Sequence, residues 1–101
     1  MEVIIKTEGK ENVVQFIGRL DTAASQEVSD ALQPLMDKAG ETIVLDCKEM
    51  TYIASSGLRI FLNIRKAAAL KGGKVIVRSI SNDIPNVFMM TGFLNLFQIE
   101  D

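Results

Sequence analysis

Short runs of β-forming residues alternate along the whole chain with segments whose apolar residues recur every three or four positions, and this alternation restricts the fold more than any other feature. Val3, Ile4 and Ile5 open a first strand, Glu8-Gly9-Lys10-Glu11-Asn12 reads as a polar turn, and Val13-Val14-Gln15-Phe16-Ile17 completes a hairpin. From Asp21 or Thr22, either of which can cap a helix, Val28, Leu32, Leu35 and Met36 make one apolar stripe. Pro34 inside it is placed to bend or shorten the helix, and Ala39-Gly40 is its expected stop. Thr42 to Leu45, apolar without alternation, suits a central parallel strand covered by helices, closed by Asp46.

A second helix is expected from Ser55 to Lys71, with Leu58, Phe61, Leu62 and Leu70 toward the sheet and Gly72-Gly73 as a left-handed stop. Val75 to Val77 form the next strand. Ser81, Asn82 and Asp83 then cap a third helix through Val87, Phe88 and Met90, ended by Thr91-Gly92, before a last strand around Leu96 to Ile99. The order β-β-α-β-α-β-α-β contains three strand-helix-strand units. It predicts a single α/β domain over residues 1–101, a mostly parallel sheet with an antiparallel edge strand, packed by about three helices.

Composition narrows the chemistry. A formal net charge of −2 with scattered basic residues offers no general attraction to nucleic acid or acidic membranes, so neither is expected as a direct partner. The chain has 0 histidines, which removes the usual base for a serine or cysteine nucleophile and the commonest zinc ligand. No catalytic group, metal or cofactor is expected. The lone Cys47 reads as a small core residue. No apolar run approaches the roughly 20 residues of a membrane span, and MEVIIKTEGK lacks the basic start and apolar stretch of a signal peptide, so the expected address is the cytoplasm.

In a parallel sheet the loops after the strands lie along one edge, which is expected to gather Asp21, Ser55, Ser56, Ser79 and Ser81. Ser55 reads in two ways. It is the N-cap of the second helix, accepting from the amide of Gly57 or Leu58, or its hydroxyl receives a phosphate at the positive end of the helix. Gly57 costs a helix roughly 1 kcal/mol relative to alanine, so its presence predicts a close backbone approach, with the third strand the simplest neighbour. Ile60, Ile64 and Ala67 lie off the main stripe and either pack under another helix or meet a partner; Arg59, Asn63 and Lys66 form a polar stripe. Gly72-Gly73-Lys74 follows a helix and precedes a strand, the reverse of a phosphate loop. Met89, Met90, Phe93 and Phe97 read as core packing.

Gly18-Arg19-Leu20-Asp21, Ile43 to Asp46, Tyr52-Ile53-Ala54-Ser55-Ser56-Gly57-Leu58 and Gly72-Gly73-Lys74-Val75, extended by Ser79-Ile80-Ser81 and Thr91-Gly92-Phe93, together resemble the STAS domain family, specifically its bacterial anti-sigma factor antagonists. The resemblance implies a partner switch. The unphosphorylated protein would bind an anti-sigma factor, often itself a serine kinase, and so release a sigma factor for transcription; phosphorylation would end that binding and a metal-dependent serine phosphatase would reset it. The family's phosphoacceptor maps to Ser55, with Ser56 its neighbour, and the partner surface to Asp21, Ala54, Ser55, Ser56, Gly57, Leu58, Arg59, Ile60 and Asn63. Ala54 stands where the family motif usually carries aspartate. That departure motivates the alternative of an unphosphorylated STAS adaptor or assembly subunit.

Overall fold

A computed structural model describes residues 1–38, 40–80 and 97–100. β1 (Glu2–Glu8) and β2 (Glu11–Leu20) form the expected antiparallel hairpin, with Glu8 opposite Glu11 and Gly9 turning the corner at φ 63°, where a side chain would be strained. α1 (Thr22–Ala31) and α2 (Gln33–Met36) follow, then β3 (Thr42–Asp46), β4 (Met50–Ile53), α3 (Ser55–Lys71), β5 (Lys74–Arg78) and β6 (Gln98–Glu100). The strands lie in the order β1-β2-β3-β5-β6, and every pair except β1–β2 is parallel. β2 is long enough to serve two neighbours: its first half pairs β3, and its end pairs β4 from Gly18 to Leu20, with a register shift at Gly18/Arg19.

Alternation along the central strands sends side chains to two faces. Val14, Phe16, Ile43, Leu45, Val75 and Val77 join Val28, Leu32 and Leu35 from the α1–α2 stretch and Leu58, Phe61, Ile64 and Ala68 from α3 in the main core. Phe61 anchors it, its ring centroid 5.4 Å from Phe16 and 6.5 Å, edge-on, from Phe97. Val13, Val44 and Ile76, one residue out of phase, form a small buried cluster on the opposite face. Cys47 is fully buried, and burial, reinforced by Asp46, pushes its thiol up to about 12, so it stays protonated as a core residue.

Four local expectations change. β4 falls between Asp46 and Ser55, where the sequence marks no element, because four residues with one edge on β2 leave little periodic signal. The helix before β3 breaks at Leu32, with Pro34 in the first turn of α2, and α2 ends at Met36 rather than at Ala39-Gly40; Ala39 lies outside the described residues. Leu70 does not face the sheet and is 88% exposed, since nine residues beyond Phe61 is about two and a half helical turns and places it on the outer side. The last strand is displaced to Gln98–Glu100. The helix expected over 81–92, with Met89, Met90 and Phe93, and Leu96 lie outside the described residues.

Candidate functional site

β2 and β4 end side by side at Leu20 and Ile53, and each feeds a helix. Asp21 is the N-cap of α1: its Oδ1 accepts from the Ala24 amide at 2.9 Å, which settles the choice between Asp21 and Thr22. At α3 the cap is Ala54, not Ser55. The Ala54 amide donates to the Leu20 carbonyl at 2.9 Å, and its own carbonyl accepts from Gly57 and Leu58, but no side chain caps the helix. Ser55 is therefore the first helical residue. It is exposed, and its hydroxyl has no hydrogen-bond partner among the described residues.

Ser56 is held differently. Ser25 Oγ donates to the Asp21 carbonyl at 2.8 Å, which uses its single proton; the 2.7 Å contact between Ser25 Oγ and Ser56 Oγ is therefore donated by Ser56. The pair clasps α1 to α3 and is worth about 0.5–1.5 kcal/mol. Ser25 was not among the residues singled out from the sequence. A signal existed: Ser25, Val28, Leu32 and Leu35 keep a spacing of three and four, so a hydroxyl occupies a position of the buried stripe, and Ser25 is 7% exposed.

Gly57 explains why α3 starts where it does. A Cβ there would lie 2.7 Å from Leu20 Cγ and 2.9 Å from Ile53 Cγ1, so the close neighbours are the ends of β2 and β4 rather than β3. Leu58 and Ile60 are buried with Ile64 as α3 packs against α1 and the sheet, which resolves the off-stripe isoleucines in favour of packing. Arg59, Asn63 and Lys66 are exposed. Ser25, Ser29, Ser56, Arg59, Ile60 and Asn63 border a shallow groove of about 190 Å³ between the two helices.

Of the residues expected along one edge, Asp21 and Ser56 meet through Ser25, and Ser55 adjoins them at the tip of α3. Ser79 does not join this group. It follows β5, takes a positive φ of 58°, and gives its amide to the Glu100 carbonyl at 2.8 Å; Ser81 lies outside the described residues. The rim also carries Arg19, whose guanidinium carbon sits 4.3 Å from the centre of the Tyr52 ring, a pair of strand-end residues facing away from buried Leu20 and Ile53. Among the described residues no three His, Cys, Asp or Glu side chains cluster as metal ligands, and no helix is long and apolar enough to cross a membrane.

A hairpin feeding a parallel sheet, with two helix N-termini at the adjoining ends of β2 and β4, is an architecture shared with characterised proteins. The STAS domain model matches residues 4–101, and the chain belongs to that family. It is 22% identical over 102 residues to the anti-sigma-B factor antagonist of Listeria monocytogenes, covering 100% of this chain and 90% of that protein. It is 28% identical over 82 residues to BtrV of Bordetella bronchiseptica, covering 81% of this chain and 71% of BtrV. Among solved structures, the Bacillus anti-sigma factor antagonist SpoIIAA matches in its unphosphorylated form with a TM-score of 0.77 and 17% identity, covering 99% of this chain and 88% of SpoIIAA. The phosphorylated form matches with a TM-score of 0.75 and 16% identity, covering 99% and 91%. At these identities the structural likeness establishes the fold.

Proposed function

We propose that this chain is an anti-sigma factor antagonist, and that the Ser55 hydroxyl is the phosphate acceptor of a partner switch. The observation that carries the assignment is the contrast between the two serines: Ser55 is exposed and its hydroxyl has no partner among the described residues, whereas the Ser56 proton is committed to Ser25. The partner surface is centred on Asp21, Ala54, Ser55, Ser56, Arg59 and Asn63. Buried Gly57, Leu58 and Ile60 contribute by fixing where α3 begins and how it lies on α1.

In the unphosphorylated state this face binds an anti-sigma factor with serine-kinase activity and frees the sigma factor. A phosphate on Ser55 adds about −1.5 to −2 charge at neutral pH. At the first position of a helix that charge is favourable for the fold, because the free amides and the helix dipole present positive potential there. The domain then stays folded while its docking face, which pairs one acidic Asp21 with one basic Arg59, becomes negative, which is what ends binding. Arg59, one turn along α3 and exposed, is the cation best placed in sequence to answer the phosphate. A serine phosphatase reverses the step. The names of the relatives and the likeness to both forms of SpoIIAA support this reading.

Ala54 favours a second reading, a STAS adaptor that is never phosphorylated, since it removes the carboxylate usual beside the acceptor in the family. The two are separated by titrating wild type, Ser55→Ala and Ser55→Asp against the serine-kinase anti-sigma factors of the organism. The switch predicts tight binding by wild type and Ser55→Ala and at least tenfold weaker binding by Ser55→Asp, with an unchanged circular dichroism spectrum. Equal affinity for all three, with no phosphate in cells, assigns the adaptor role.

A further inference from the structure

Among the described residues β1 is the terminal strand of the sheet and pairs only with β2, so one side of a seven-residue strand carries backbone groups without a strand partner there. β1 also carries unusual apolar exposure for an edge: Ile4 is 39% and Ile5 44% exposed, on opposite faces. Val3 and Ile5 pair with Phe16 and Val14 on the helix side, whereas Glu2, Ile4 and Lys6 pair with Ile17, Gln15 and Val13 on the other. We propose that this edge receives β1 of a second copy of the chain, antiparallel and centred on Ile4, to form a continuous sheet across a two-fold axis.

Symmetry makes the register a strong constraint. A two-fold axis perpendicular to the sheet sets residues of the same face opposite each other, so the axis passes through a residue pair i↔i and its neighbours match in steps. Centred on Ile4, the register sets Glu2 opposite Lys6 twice, Val3 opposite Ile5 twice, and Ile4 opposite itself. Centred on Ile5, it sets Glu2 against Glu8 twice and Ile4 against Lys6; centred on Lys6, it opposes the two lysines and sets Ile4 against Glu8. Centred on Val3, it sets Glu2 against Ile4. The Ile4 register therefore pairs opposite charges, buries both isoleucines and creates no like-charge contact among Glu2 to Lys6, where cross-strand pairs decide sheet energetics.

Within one copy, Lys6 Nζ lies 3.3 Å from Glu8 Oε1, with both side chains about half exposed. An exposed pair of this kind is weak and leaves ammonium donors for a second carboxylate. β1 flanks β2 on the side away from β3 and β4, so the dimer leaves the α3 N-terminus of each copy accessible.

The test is the mass of the full chain in solution, by sedimentation or light scattering, across a concentration series from micromolar to millimolar. Wild type forms a concentration-dependent dimer. Lys6→Glu sets two acidic pairs across the axis and Glu2→Lys sets two basic pairs, so each alone raises the dimer dissociation constant at least tenfold. Mixed together, the two variants have complementary edges and recover a heterodimer; the double variant E2K/K6E recovers a homodimer. Both positions are exposed, and circular dichroism verifies the fold. A wild-type monomer throughout, a dimer indifferent to both single substitutions, or failure of the mixture to associate overturns the proposal. So does protection of the β1 amides from hydrogen exchange only when a different protein is added.

Discussion

The two ends of α3 follow opposite rules. At its C-terminus every local requirement is met: Gly72 takes φ 76°, the Gly72 and Gly73 amides both return to the Ala68 carbonyl, and Lys71 lies at the negative end with Nζ donating to the Met36 carbonyl at 3.0 Å. At its N-terminus the cap position holds Ala54, which has no side-chain oxygen, the third residue is a glycine, and the Ser55 hydroxyl in the first turn has no partner among the described residues. One end is built for stability. The other gives up a side-chain cap and helix propensity where the partner surface is proposed, the pattern expected of a functional terminus.

The two glycines offer the largest break of this comparison. Gly57→Ala gains up to about 1 kcal/mol of helix propensity but drives a Cβ into fully buried Leu20 and Ile53; overpacking outweighs the gain, and a net loss of about 2 kcal/mol is expected in urea unfolding. A neutral result would remove crowding as the reason for glycine at that position. Gly72→Ala meets no atom within 4 Å, so it suffers only the left-handed backbone, a loss of about 1 kcal/mol.

Restoring a cap sharpens the contrast. Ala54 already has the extended backbone of an N-cap, at φ −90° and ψ 169°, so Ala54→Asp is expected to stabilise the domain by about 1 kcal/mol and raise Tm by about 4 °C. No rise in a thermal melt would mean that the end of α3 has no amide left to satisfy. The smallest effect concerns the clasp. A double-mutant cycle with Ser25→Ala and Ser56→Ala is expected to give a coupling of about 0.5–1 kcal/mol, and zero coupling would detach Ser56 from α1.

What could be read without coordinates follows the same division. The hairpin, the Asp21 cap, the Val28-Leu32-Leu35 stripe and the Gly72 stop are set by local chemistry repeated over several residues, and they appear where the sequence predicts them. β4 escaped because its existence depends on β2 running past β3 to offer a second edge, a tertiary fact with no local signature. The cap of α3 was displaced by one residue because serine is the better capping type, whereas the bond from the Ala54 amide to Leu20 sets the helix start. The clasp was hidden for a related reason: pairing Ser25 with Ser56 requires knowing that α1 and α3 pack side by side.

The central claim is that Ser55, and not Ser56, accepts phosphate. Intact and fragment mass analysis of the protein isolated from its own cells under several growth conditions tests it most directly. The account predicts a single added phosphate localised to Ser55 in at least one condition. A phosphate on Ser56, or none under any condition, contradicts it.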